Sequence, residues 1–258
     1  MTRRRTDWLA FVAIGLVAGF LSGLFGVGGG ILIVPALVLA ARFDQKLASG
    51  TSLAAIVPTS LVGVVSYAVG GHVDWLAALL LAAGAIGGAQ LGSLLLDRLP
   101  RRIIQWAFIG FFVVVIVSLF LVIPSRDSTI EITVVSGVGL VVLGVVVGVL
   151  SGLLGIGGGV VFVPLLVLLF GASDLIAKGT SLLVMVPTAV SGTIANSLRK
   201  NVDLGAAIAI GLAACTTTAL GAHIAGLVSP QTANILFAIF LILVVLQLVS
   251  RAVKRPHP

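Results

Sequence analysis

Apolar residues run along this chain in long, nearly unbroken blocks, at about residues 8–41, 47–70, 75–96, 103–123, 132–170, 175–198, 204–227 and 231–250. Short polar stretches separate them. Each block holds roughly 20 or more residues, enough for a helix to cross about 30 Å of hydrocarbon. The polar/apolar alternation that a membrane β-barrel needs is absent. The pattern predicts an all-α polytopic membrane protein with no soluble domain. Blocks 8–41 and 132–170 are too long for one simple span. Each carries a glycine cluster, GVGGG at Gly26 or GIGGG at Gly155, with a proline further on at Pro35 or Pro164. Consecutive glycines weaken a helix by about 1 kcal/mol each, and proline removes a backbone donor. The chain is therefore expected to break at both places.

The two long blocks are copies of one another. Residues 19–39 read GFLSGLFGVGGGILIVPALVL and residues 148–168 read GVLSGLLGIGGGVVFVPLLVL, an offset of 129 that then holds without a gap. GTSLAAIVPT from Gly50 falls on GTSLLVMVPT from Gly179, and Val73-Asp74 falls on Val202-Asp203. A repeat of this length predicts two homologous halves, residues 1–126 and 127–258, with any site where they meet.

Charge turns this into a topology. Of the fifteen Lys and Arg residues, nine lie inside and six outside if each long block crosses once with the N-terminus inside. If each block is a hairpin returning to the side it entered from, thirteen lie inside and only Arg126 and Lys178 lie outside. The positive-inside rule prefers the hairpins. Each half is then one glycine-loop hairpin plus three spans, so the halves insert in opposite orientations, with both termini cytoplasmic. The arms before the glycines are long enough to cross; those after, about 31–41 and 160–170, are short.

Composition narrows the class further. Hydrophobic residues make up 59% of the chain and charged ones 9%, against about 25% charged in an average globular protein. The net charge of +7 sits in short clusters between apolar blocks, which reads as topology rather than as a nucleic-acid surface. A single cysteine, Cys215, cannot form an internal disulfide. Arg3–Arg5 ahead of an apolar run resembles a signal peptide, but Gly15–Leu39 has its partner deep in the chain, so the segment reads as a retained membrane element.

Several residues could carry chemistry. Successive N–H groups in a glycine-rich bend form an anion-binding concavity, and a helix starting just after adds its positive dipole end. Gly28–Gly30 and Gly157–Gly159 are expected to line such a site. Irregular backbone at membrane depth persists only where protein buries it or water wets it. The GxxxGxxxG faces at Gly15, Gly19 and Gly23, at Gly144, Gly148 and Gly152, and at Gly84, Gly88 and Gly92 read instead as close helix packing. Thr51-Ser52 and Thr180-Ser181 open a span, and Pro58-Thr59 and Pro187-Thr188 lie about two turns deeper. Their hydroxyls could serve a substrate or simply bond their own helix. Gln90, Thr216–Thr218, Asn196, His223 and Gln247 are further polar residues within spans; His223 reads as an interfacial group and Cys215 as a core residue.

All eight acidic residues lie in loops or at span ends, so the intramembrane carboxylate usual in proton relays and the acidic ring usual in cation pores are both missing. That favours an anion. An outward-moving monoanion gains roughly 2.3 kcal/mol per 100 mV of inside-negative potential, so voltage alone could drive export. No nucleophile–base set, metal-ligand cluster, Walker loop or cofactor motif is present, which speaks against an enzyme or an ATP-driven pump.

GLFGVGGGILIVP at Gly23 and GLLGIGGGVVFVP at Gly152, each followed by GTSL and PT, resemble the sulfite exporter TauE/SafE family over about residues 8–250. The resemblance implies a bacterial-type inner-membrane permease for sulfite, sulfonates or related organic anions. By position, Gly26, Gly28, Gly29, Gly30, Pro35, Thr51, Ser52, Pro58 and Thr59, with Gly155, Gly157, Gly158, Gly159, Pro164, Thr180, Ser181, Pro187 and Thr188, match its shared motifs. The leading expectation is alternating-access transport of a small anion between inverted halves. Alternatives are an anion channel with the same lining and a membrane assembly subunit without a pathway.

Overall fold

A computed structural model of the chain describes residues 5–96, 106, 109–110, 112–113, 116–117, 129–154 and 157–253. The glycine clusters do break the chain. In the first half α1 (Arg5–Phe25) gives way to α2 (Gly30–Ala40), followed by α3 (Gln45–Val69) and α4 (Trp75–Leu96). In the second half α5 (Val134–Leu154) gives way to α6 (Gly159–Phe170), followed by α7 (Asp174–Leu198), α8 (Leu204–Leu227) and α9 (Pro230–Val253). The expected span 103–123 lies largely outside the described residues, as does Gly155. The described elements are all helices. Six of them, α1, α3, α5, α7, α8 and α9, contain stretches long and apolar enough to cross a membrane.

Length separates the two arms of each break. At about 1.5 Å per residue, the 21 residues of α1 and of α5 reach across a bilayer, whereas the 11 of α2 and the 12 of α6 reach about half-way. Both short helices start the same way. Gly29 and Gly158 stand before them at φ 73° and 76°, a left-handed conformation that glycine adopts without steric penalty. The carbonyl of each accepts from the third and fourth N–H groups of its helix, those of Leu32 and Ile33 or of Val161 and Phe162.

The two halves are interlocked rather than side by side. α1 packs along α8, with Gly15 against Ile210, Gly19 against Ala214 and Gly23 against Thr218, so the two run parallel. The same contact recurs with the halves exchanged: Gly144 of α5 lies against Leu81 of α4, and Gly148 against Ala85. The glycine faces thus let backbones touch. A methyl group on Gly19 would lie 2.5 Å from the Cα of Ala214, and one on Gly148 would lie 2.8 Å from the Cα of Ala85. Between apolar helices in lipid, such close van der Waals packing replaces the hydrophobic drive.

α3 and α7 cross antiparallel at the centre. Gly192 faces Leu53, Gly63 faces Leu182, and Gly179 faces Tyr67. Reciprocal hydrogen bonds tie the crossing to the opposite half. The Asp203 N–H donates to Thr51 Oγ1 and the Asp74 N–H donates to Thr180 Oγ1, each at 3.0 Å. Asp74 and Asp203 also cap α4 and α8 through bonds from Ala77 N and Ala206 N. Leu9, Val65, Leu79, Val138, Leu212 and Leu243 stand outward and exposed, an apolar perimeter suited to lipid.

This packing defines two ends. One gathers the starts of α3 and α8 with the end of α7, and carries Arg42, Lys46, Arg199 and Lys200. The other gathers the starts of α4 and α7 with the ends of α3 and α8.

Candidate functional site

The two glycine loops meet where α3 and α7 cross. A methyl group on Gly159 would lie 2.9 Å from the Val27 carbonyl carbon and 2.5 Å from Met185 Sδ. One on Gly28 would lie 2.7 Å from Met185 Sδ and 3.5 Å from Ile56, and one on Gly157 would lie 2.8 Å from Met185 Cε and 3.4 Å from Ile56. Ile56 and Met185 are the same repeat position, fully buried, and together they fill the space between the loops. Any residue larger than glycine at these points would displace that plug.

The backbone here is short of partners. Among the described residues, no hydrogen bond engages the N–H groups of Val27 through Ile31, or of Gly157 through Val160. α2 and α6 both begin at this place, so two positive helix ends converge on it. Gly26 is the exception: its N–H donates to the Ser22 carbonyl at 2.8 Å. The side chains are unequal. Ser181 Oγ donates to the Gly26 carbonyl at 3.1 Å, with the Gly159 carbonyl at 3.5 Å. Its counterpart Ser52 is equally buried with no partner for Oγ among the described residues, and so is Ser22 on the last turn of α1. A buried hydroxyl left unpaired is costly. Ser22 stands on the turn that leads into the first loop and Ser52 one turn before Ile56, so both could add donors to the open backbone N–H groups for an acceptor-rich guest.

The sequence profile of the family described as "Sulfite exporter TauE/SafE" matches residues 1–119 and 140–258. The chain belongs to the sulfite exporter TauE/SafE family. Among its relatives, a "Probable membrane transporter protein" of Haemophilus influenzae is 30% identical over 260 residues, covering 93% of this chain and 97% of that protein. The "Probable membrane transporter protein YunE" of Bacillus subtilis is 45% identical over 93 residues, 36% of this chain and 34% of YunE. A "Probable membrane transporter protein" of Xylella fastidiosa is 43% identical over 86 residues, 33% of each chain. The matches to YunE and to the Xylella protein thus span about a third of those proteins' length. No solved structure matches the chain. Family and apolar helices together make this a multi-pass membrane protein of a transporter family.

In this TauE/SafE chain the remaining sequence candidates divide by place. Gly26, Gly28, Gly157, Gly159 and Ser181 are at the meeting of the loops. Gly29, Gly30 and Gly158 continue the loops into α2 and α6, and Ser52 is buried on α3 one turn before Ile56. Thr51 and Thr180 are spent on the cross-half bonds. Thr59 Oγ1 donates to the Ala55 carbonyl at 2.8 Å and Thr188 Oγ1 to the Val184 carbonyl at 3.0 Å, so both hydroxyls satisfy their own helix. Pro58 packs on Gly211 of α8, and Pro35, Pro164 and Pro187 lie within α2, α6 and α7. Thr217 ties α8 to the Leu16 carbonyl of α1 at 2.7 Å, and Thr216 and Thr218 bond carbonyls of α8. Asn196 bonds the Gly192 carbonyl of its own helix, and Gln90 and His223 are exposed.

Sequence reasoning missed the plug and the unpaired hydroxyl of Ser22. It also treated every charge as peripheral. That view needs correction: Asp174 is the first residue of α7, as a span end should be, yet it is 3% exposed, and Lys178 one turn on is 4% exposed. The reason is the end of α1, whose Gly26 packs on the backbone and stem of Lys178. Lys178 Nζ meets Asp174 Oδ2 at 3.1 Å. The signal available in the sequence was an i,i+4 acid–base pair where the first half has Gln45 and Ser49.

Proposed function

We propose that this protein is a secondary transporter of a small anion, with sulfite, sulfonates and related sulfur-containing or organic anions foremost, working by alternating access between two inverted repeats, residues 1–126 and 127–258. The observation that carries this reading is the convergence of two glycine loops whose successive N–H groups have no partner among the described residues, each at the start of a short buried helix. Such a cradle suits an oxyanion, because backbone donors and dipole ends offset part of its charge. The unpaired hydroxyls of Ser22 and Ser52 supply further donors. The family's description supports a sulfur oxyanion.

Inversion is supported by the antiparallel crossing of α3 and α7, which are one repeat position, together with contacts that recur when the halves are exchanged. The end bearing Arg42, Lys46, Arg199 and Lys200 is then cytoplasmic by the positive-inside rule, in a bacterial-type inner membrane. The paired broken elements at the repeat interface match the architecture of alternating-access carriers. The Ile56–Met185 plug closes the way between the loops, which favours a carrier over a standing pore. An outward-moving monoanion would gain roughly 2.3 kcal/mol per 100 mV of inside-negative potential.

Counterflow tests the reading. Proteoliposomes preloaded with unlabelled sulfite should transiently accumulate labelled sulfite above equilibrium, with saturable initial rates. Uptake that rises linearly with concentration and ignores the preload would contradict a carrier.

A further inference from the structure

Lys178 and Asp174 are, among the described residues, the one buried Lys or Arg and the one buried carboxylate. Their helix turn is built twice in this protein. At the start of α3, the same positions are Gln45, exposed, and Ser49, half-buried. The turn therefore folds without an ion pair, and burying one is an addition confined to α7. Charged groups held inside a membrane protein line ion and substrate paths more often than they stabilise folds.

The location names a role. Lys178, Ser181 and Met185 lie at i, i+3 and i+7, one face of α7, and all three meet the glycine loops: Lys178 and Ser181 at Gly26, Met185 at Gly28, Gly157 and Gly159. Tyr67 Oη donates to the Gly23 carbonyl at 2.7 Å, on the turn that leads into the first loop. Tyr67 also lines a cleft of about 460 Å³ together with Ser66, His72, Leu175, Ala222 and His223. Tyr67, which lines the cleft, packs on Gly179 next to Lys178, and Lys178 and Ser181 in turn meet the first loop at Gly26. The cleft, the ammonium and the loops therefore succeed one another from the end opposite Arg42 toward the centre. At this end the pair is incompletely matched, since Asp174 Oδ1 is buried with no hydrogen-bond partner among the described residues.

We infer that Lys178 is an anion-binding residue on this path, engaging the anion between the cleft and the glycine loops, and that Asp174 holds its ammonium while the path is empty. The inference rests on the anion-transport reading above and adds to it a charged recognition element on one side only. The carboxylate and the anion compete for one ammonium, so removing each charge has opposite consequences. The ligand class is a small oxyanion able to accept from an ammonium and then from backbone N–H groups.

The test measures concentration-dependent uptake of labelled sulfite and labelled methanesulfonate into proteoliposomes by wild type, Lys178→Gln, Asp174→Asn and the double variant, each checked for monodispersity. Lys178→Gln should raise KM about tenfold or more, the scale of a lost charge-assisted hydrogen bond. Asp174→Asn should lower KM, and the double variant, which keeps a neutral hydrogen-bonding pair, should have a KM as high as Lys178→Gln. Lys178→Arg should stay near wild type. A folded double variant with wild-type KM would overturn the inference and leave the transporter reading standing, because the pair would then be purely structural. Absence of flux of both anions in wild type would overturn the transporter reading and this inference with it.

Discussion

Arg42 and Gly171 occupy the same turn position in the two halves, and Lys200 and Gly71 occupy another. All four have left-handed backbone, with φ between 56° and 73°. Glycine takes that conformation freely, whereas a residue with a Cβ loses roughly 1–2 kcal/mol there. The glycines both stand at the end of the molecule where α7 begins, and the basic residues both stand at the other. Conformational ease has been given up twice for positive charge at one end, as the orientation proposed above by the positive-inside rule would favour. At the start of α7 the balance is reversed, for there the buried pair Asp174–Lys178 replaces the neutral Gln45 and Ser49. The halves share a backbone plan and differ in charge: exposed basic residues at one end, a buried ion pair at the other.

Substitutions in the glycine loops should have the largest effect, and should ignore that division. Gly28→Leu and Gly157→Leu each drive a side chain into Met185 from a positive-φ position, so each should reduce transport by about 100-fold or more, the scale of overpacking a tight site. Proteoliposome flux normalised to folded protein reads this. Loss in one variant only would break the equivalence of the loops.

Next come the parallel helix pairs. Gly19→Ala and Gly148→Ala push α1 from α8 and α5 from α4, and each should cost about 1–3 kcal/mol of stability, seen as a lower Tm in detergent. Similar losses would support equivalent interfaces.

The serines sharpen the contrast. Ser181→Ala removes an existing bond to Gly26 and should lower stability by about 1 kcal/mol. Ser52→Ala removes an unpaired hydroxyl, so stability should hold while KM for the anion rises several-fold. Equal behaviour of the two would argue that Ser52 serves packing alone.

The smallest effect is expected at the left-handed turns. Arg42→Gly and Lys200→Gly should each raise stability by about 1 kcal/mol in thermal unfolding. Cysteine-accessibility mapping should detect a fraction of inverted molecules once both charges are gone.

Much of the fold was legible because it is written locally. The breaks at Gly26–Gly30 and Gly157–Gly159 follow from glycine's cost in helices, and α4 and α8 begin and end where their apolar blocks do. The glycine faces were correctly read as packing surfaces, though spacing could not say that α1 would choose α8. The motif GTS and the Val-Asp pairs both stood out by register, yet the bonds between them join residues 152 and 106 positions apart and are invisible to local pattern. The burial of Lys178 was unreadable for the same reason: it depends on where the end of α1 lies, not on the composition of α7. The Pro-Thr threonines show the opposite limit, since their hydroxyl bonding is local and the simple expectation of back-bonding accounts for it.

The central claim is that the glycine loops hold the transport site of an anion carrier that responds to voltage. The most direct measurement is flux of labelled sulfite in proteoliposomes under a potassium-diffusion potential of either sign, with Gly28→Leu as the paired control. The account predicts saturable wild-type flux that reverses direction with the potential, and none beyond background in the control. Flux indifferent to the sign of the potential, or equal in the control, would contradict it.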